Sequence, residues 1–203
     1  MRTAQISLLL ALTALAVSAA AAADPAGSPD PAPTACPDPA HRVPRGLILR
    51  SALGPAVWLG EVGADSRPGL AFTFAAGWEL WDFLAIEAAY RAGFHETDQP
   101  QPPAPGAFTT HALHGGLRLG WPLQRFDLFA RGGVGVQWST PDILVRVDGF
   151  DGDRRLSWLG GLGMTWHTPR RRFWIGFEAD AMGGVGLPGV LLTVAGVVGC
   201  TLL

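Results

Sequence analysis

The chain contains no lysine, only two cysteines and no long uninterrupted apolar run. Its basic residues other than histidine are all arginine, which we attribute to the codon bias of a GC-rich genome. The formal net charge is −2, so the composition does not indicate a nucleic-acid partner. Beyond the N-terminal segment, the most apolar stretch is residues 187–203, which is interrupted by proline and glycine and falls short of the ~20 residues that a membrane helix needs.

The first 45 residues have the composition of a targeting segment followed by a linker. Arg2 supplies a positive charge, residues 6–17 form a short apolar region and residues 21–23 are small, as in a secretory signal peptide. The next 22 residues contain seven prolines and cannot form a helix or a paired strand. The predicted domains are a signal peptide at 1–23, a Pro-rich periplasmic linker at 24–45 and one barrel domain at 46–203.

Residues 84–94 show the alternation on which the fold prediction depends. Their even positions are apolar or small, including Ile86 and Tyr90, whereas the odd positions include Glu87 and Arg91. Because a strand sends successive side chains to opposite faces, this segment has one apolar face and one face that carries an ion pair. Seven further segments alternate in a similar way. A closed barrel that is apolar outside and polar inside accounts for all eight.

The connections between the predicted strands support this count. Short links occur around residues 81–82, 122–124 and 168–170, whereas residues 95–108 and 139–155 form longer connections. This alternation is typical of an outer-membrane barrel with a periplasmic N-terminus. Tryptophans near predicted strand ends suit interfacial girdles, namely Trp78, Trp121, Trp138, Trp158 and Trp166. We therefore predict an all-β fold, an eight-stranded antiparallel up-and-down transmembrane β-barrel, located in the cell outer membrane of a Gram-negative envelope.

Two strand cores are rich in glycine, at residues 132–136 and 160–164. With these cores and its repeated alternation, the chain resembles the small eight-stranded outer-membrane β-barrels of the OmpA/OmpX type over residues 46–203. The resemblance implies contact with outer-membrane lipid, including lipopolysaccharide. It also implies insertion by the barrel-assembly machinery.

The predicted lumen carries charges of both signs in near balance. Eight strands leave an interior just wide enough for side chains to fill, and buried charges are tolerated when they are paired. A salt-bridge network that fills the lumen is therefore favoured over an ion-conducting pore or an interior ligand site. Its predicted members are Arg50, Glu79, Glu87, Arg91, Arg118, Asp127, Arg131, Arg172, Glu178 and Asp180.

Residues that could form a hydrolytic site lie near one predicted rim without a recognisable local motif. Some barrels of this size are lipid A acylhydrolases or acyltransferases that use serine with histidine and an acid. The residues available here are His111, His114, Ser139, Ser157, Asp142 and Glu96. Because no motif links them, we predict no catalytic residues.

Metal and cofactor sites are also not predicted. His95, expected to begin a loop, joins His111 and His114 near the same rim, but the spacing of the three is not diagnostic of a metal site. The acidic segment 148–153 resembles a calcium loop only loosely, since no glutamate follows at the required position.

The two cysteines, Cys36 and Cys200, precede the first predicted strand and end the last one. In a closed barrel these strands are neighbours, and both ends would face the oxidising periplasm. A disulfide that ties the linker to the barrel seam and a pair of free thiols both remain open.

The sequence predicts a non-enzymatic outer-membrane barrel with a structural, adhesion or binding role through extracellular loops or envelope partners. One alternative is an outer-membrane lipid-modifying enzyme of the lipid A acylhydrolase or acyltransferase type. Another is the barrel subunit of a larger envelope machine, in which residues 24–45 would contact a periplasmic protein.

Overall fold

The structure is a computed structural model. It describes residues 46–97, 106–123, 126–140, 154–168 and 173–202. The predicted signal peptide and linker lie outside the described residues.

Eight antiparallel strands form a closed barrel in the order of the chain. They are β1 (Leu47–Gly60), β2 (Gly69–Trp81), β3 (Leu84–Glu96), β4 (Ala107–Pro122), β5 (Phe126–Thr140), β6 (Arg155–His167), β7 (Phe173–Gly184) and β8 (Gly189–Leu202). β1 closes the barrel by pairing with β8, from Leu47 opposite Leu202 to Gly60 opposite Gly189. The predicted eight-stranded all-β barrel is therefore confirmed.

The two ends of the barrel differ in their connections. At the turn end, short links join β2 to β3, β4 to β5 and β6 to β7, and Leu47 and Leu202 lie beside them. The loop end carries the other four connections, one of which contains the four-residue helix α1 (Glu61–Ala64). No helix in the described ranges is long and apolar enough to span a membrane.

The sequence analysis expected His95 to begin a loop, but this residue lies within β3. β3 continues to Glu96, two residues beyond the predicted Phe94, and His95 is buried inside the barrel. The strand continues because Glu96 still pairs with Ala107 of β4.

The outward positions form an apolar surface around the barrel. Large side chains such as Val134, Leu162, Ile175 and Phe177 are more than 60% exposed. A water-soluble protein rarely exposes so much contiguous apolar area, whereas the outside of a membrane barrel requires it. Exposed tryptophans such as Trp121 and Trp166 lie near the turn end, and the outward, half-buried Trp138 lies near the loop end. The outer face is therefore a lipid-facing surface.

The lumen is filled by side chains arranged in layers. An apolar cluster lies towards the loop end and includes Trp58, Phe108, Met182, Leu191 and the α1 residue Val62, which is fully buried. A second apolar cluster lies towards the turn end. Its members are Ile48, Ala52, Ala85, Trp174, Ala195 and Val197. Charged residues occupy the level between these two clusters.

Candidate functional site

Three arginines and three acids meet in the middle of the lumen. We call this group the central charge cluster, and its members are Arg50, Glu87, Arg91, Arg131, Glu178 and Asp180. All six come from β1, β3, β5 and β7, whereas the intervening strands face them with small residues such as Thr73, Gly161 and Thr193. Long side chains from alternate strands can therefore meet across a narrow interior without overfilling it.

Arg50 joins β1 to two other strands of the cluster. Its Nη1 atom lies 2.5 Å from Glu178 Oε2, and its Nη2 atom lies 3.1 Å from Glu87 Oε2. Arg131 approaches the same glutamate from β5, with Nη2 2.9 Å from Glu178 Oε1. Glu178 thus links two arginines that are far apart in the sequence.

Asp180 links Arg131 to Arg91 in the same way. Arg131 donates from Nε to Asp180 Oδ1 at 2.8 Å, and Arg91 donates from Nη2 to Oδ2 of the same carboxylate. Arg91 also donates to the hydroxyls of Thr73 at 3.2 Å and Thr193 at 3.1 Å. The expected ion pair along β3 is therefore wrong: Arg91 pairs with Asp180, and Glu87 pairs with Arg50.

The central charge cluster leaves little free space beside it. A cavity of about 10 Å³ is lined by Arg50, Glu87, His114 and Arg131, among others. A space of that size holds about one water molecule. At this level the lumen is occupied by balanced charge, three positive and three negative side chains.

The other predicted lumen charges lie nearer the turn end and have different neighbours. The Arg118 guanidinium lies 4.3 Å from the ring centroid of Phe129 and 5.6 Å from that of Trp174, which are cation–π distances. Asp127 accepts a hydrogen bond at 2.6 Å from the Nε2 atom of His167. Glu79 is half-buried and lies on the same, inward side of β2 as Thr73. Arg172 lies outside the described residues.

Sequence analysis did not identify Phe129, Trp174 or His167 as lumen residues. The sequence pattern did indicate the position of Phe129, because it alternates along β5 with the same spacing as the inward residues Asp127 and Arg131. The alternation alone assigns Phe129 to the interior.

Gly161 provides a sharp test of the packing around the cluster. A Cβ atom at this position would lie 1.9 Å from Asp180 Oδ1, so Gly161→Ala must displace the carboxylate that holds Arg91 and Arg131. We expect a loss of about 1–3 kcal/mol in the free energy of unfolding, measured by urea titration of the folded barrel. Gly160→Ala is the matched control, because nothing lies within 4 Å of a Cβ atom there. Equal stability of the two variants would contradict this packing.

The residues considered for hydrolysis do not converge at the lipid-facing rim. Ser157 Oγ lies 2.9 Å from His114 Nε2, but both residues are buried in the lumen. His111 faces outward instead, and Glu96 is exposed with Arg67 at 4.0 Å. Ser139 is buried, and Asp142 lies outside the described residues. The one serine–histidine hydrogen bond in the described residues is thus inside the barrel rather than on its membrane face.

The three histidines of the predicted rim also point in different directions, since His95 and His114 are buried inside and His111 faces lipid. Within the described ranges, no group of three or more His, Cys, Asp and Glu side chains is arranged to hold a metal ion. The acidic segment 148–153 lies outside these ranges.

Cys200 lies opposite Phe173 and Leu49, on the outward side of β8. Cys36 lies outside the described residues, so a disulfide between them stays a prediction.

Comparison with known proteins supports the fold. No protein-family model matches the sequence, and no curated protein is significantly similar to it. The structure is similar to Neisserial surface protein A, with a TM-score of 0.58 and 13% identity over 77% of this chain and 97% of that one. It is also similar to the attachment invasion locus protein Ail of Yersinia pestis, with a TM-score of 0.50 and 11% identity over 77% and 97%.

A third similar structure is the N-terminal β-barrel domain of Pseudomonas aeruginosa OprF, with a TM-score of 0.51 and 12% identity over 78% of this chain and 98% of that domain. Identities this low establish the fold and nothing finer. Together with the lipid-facing exterior, the fold indicates an outer-membrane location. The chain therefore has the fold of the small eight-stranded outer-membrane barrels of the OmpA/OmpX type.

Proposed function

We propose that this protein is a non-enzymatic outer-membrane barrel that acts by adhesion or binding through the connections at its loop end. The observation that carries the proposal is the central charge cluster, which occupies the middle of the lumen. Beside this cluster the described lumen has a cavity for about one water molecule, which favours recognition by the connecting segments, where rigid scaffolds commonly carry function. A similar structure is that of an attachment invasion locus protein, which favours adhesion within this proposal.

The proposed partners follow from the same arrangement. Outer-membrane lipid, including lipopolysaccharide, would cover the apolar exterior. The barrel-assembly machinery would insert the chain, and a protein of the envelope or of an external surface would meet the loop end.

The loop between β5 and β6 offers a direct test. Cells that display the full chain should attach to a coated surface more strongly than cells without it, and replacing residues 141–154 by a short Gly-Ser turn should abolish that gain. Exchanging Asp82 and Phe83 at the turn end for another tight turn is the matched control and should leave attachment unchanged. Equal attachment by all cells, or equal loss in both variants, would argue against a loop-end role.

The hydrogen bond between Ser157 and His114 is the one observation that favours the enzymatic alternative. We expect that expression of the chain leaves the acyl pattern of lipid A unchanged, because the pair is enclosed in the lumen. Mass spectrometry of extracted lipid A would show this. A changed pattern that disappears in Ser157→Ala would establish the enzyme and exclude our proposal.

The envelope-machine alternative depends on the linker. A pull-down from solubilised envelopes with the full chain, compared with a chain lacking residues 24–45, distinguishes it. If only the chain with the linker captures a partner, and the loop end does not contribute to that capture, the result would favour the envelope-machine alternative.

A further inference from the structure

Three outward side chains on neighbouring strands form a polar feature on an otherwise apolar surface. Tyr90 of β3 and His111 of β4 are hydrogen-bonded, with 2.8 Å between Oη and Nδ1. His111 stacks on Trp138 of β5, with ring centroids 5.4 Å apart and planes inclined by 21°. His111 lies directly opposite Trp138 in the register, and Tyr90 is its diagonal neighbour. We call these three residues the outer triad.

Tyr90 and a neutral His111 together carry one hydrogen-bond donor more than their mutual bond uses, and the indole N–H of Trp138 is a further donor. If the Tyr90 hydroxyl donates to Nδ1 of a neutral His111, the histidine carries its proton on Nε2 and that N–H is unused. If Nδ1 carries the proton and donates to Tyr90, the tyrosine O–H is unused instead. Either arrangement presents a donor on the outside of the barrel, next to apolar neighbours such as Leu113 and Val136. Hydrocarbon supplies no acceptor for such a donor, so the depth of the outer triad decides which group can accept from it.

The depth of the outer triad shows which acceptor is available. His111 lies ten residues from Trp121, the outward tryptophan at the turn end of β4. At a strand rise of ~3.3 Å per residue and a tilt near 40°, this separation is about 25 Å along the barrel axis. That is about the height of the apolar band of a membrane barrel. His111 therefore lies at the opposite boundary of this band, at the level of lipid headgroups.

We propose that the outer triad binds a phosphorylated glycolipid of the outer leaflet. This inference rests on the proposed function, in which the loop end faces outward. The unused N–H or O–H donates to a phosphate oxygen, since hydrogen bonds to charged acceptors are the stronger ones. The aromatic faces of Trp138 and Tyr90 pack against the adjoining sugar and acyl chain.

The test uses the full barrel extracted in its folded state. Lipopolysaccharide without O-antigen is titrated against it, and the bound population is measured by native mass spectrometry. Because either residue alone still supplies a donor, the informative change is the double variant Tyr90→Phe/His111→Leu. We expect its affinity for the phosphorylated glycolipid to fall about tenfold, as for the loss of one hydrogen bond to a charged group. Enzymatically dephosphorylated lipopolysaccharide should bind the unaltered protein and the double variant with the same, weaker affinity.

Trp158→Phe is the control, since it removes an outward N–H donor of β6, opposite Val134 and away from the outer triad. Its affinity should equal that of the unaltered protein. The proposal is overturned if the double variant binds as tightly as the control, or if dephosphorylation leaves binding to the unaltered protein unchanged. Fractionation of cells and heat-modifiable migration are measured in parallel. If the protein is folded in the outer membrane but the double variant binds the glycolipid as tightly as the unaltered protein, only this inference is refuted. If the protein is absent from the outer membrane, the proposed function is refuted.

Discussion

Arg91→Ala is expected to lower the free energy of unfolding of the barrel by about 3–5 kcal/mol, as is usual when one partner of a buried ion pair is removed. Arg91 is 3% exposed, and its loss leaves Asp180 with Arg131 as its remaining cation. The change also removes the donor that Thr73 and Thr193 share. Urea titration of the barrel in lipid vesicles, followed by tryptophan fluorescence, measures the effect.

The matched control is Arg67→Ala, which removes an arginine from an exposed pair at the loop end. Arg67 and Glu96 are both more than 60% exposed, with 4.0 Å between charged atoms. Exposed pairs of this kind contribute about 0–1 kcal/mol. If Arg91→Ala were tolerated as well as Arg67→Ala, the central charge cluster would not be buried and closely paired.

Val134→Arg should destabilise the inserted barrel by about 2–4 kcal/mol, because it places a charge on the lipid face near the middle of the bilayer. Val134 is 65% exposed and lies near the middle of β5. The same urea titration measures the loss, with Val134→Leu as the apolar control. Equal stability of the two variants would show that Val134 does not face lipid.

Depth gives this prediction a second control. Leu128 also faces outward on β5, but it lies two residues from the turn-end start of the strand and directly opposite Trp121. The cost of an arginine falls to about 0–1 kcal/mol near the membrane interface, so Leu128→Arg should be much milder than Val134→Arg. A reversed order would mean that the apolar band is centred elsewhere on the barrel.

The alternation of side chains was sufficient to predict which residues face inward. Side-chain parity is a local property of a strand, so residues 84–94 reveal their two faces without reference to any other segment. The same reasoning assigns Phe129 and Trp174 to the lumen, where both are buried. Short links around residues 81–82 and 122–124 indicated the strand order, because antiparallel neighbours need few connecting residues.

Pairing inside the lumen could not be predicted in the same way. Glu87 and Arg91 share one face of β3, but four residues of extended strand separate their backbones by about 13 Å. Their actual partners, Arg50 and Asp180, come from β1 and β7, and only the register around the closed barrel brings them within reach.

The sequence by itself therefore determined the strand count, the closed all-β architecture and the face on which each side chain lies. The tertiary structure decided which charges meet, that Ser157 and His114 meet inside rather than at the rim, and that Tyr90, His111 and Trp138 meet outside. The physical reason is that alternation repeats every two residues within one strand, whereas these contacts depend on the relative shift of strands that only barrel closure sets.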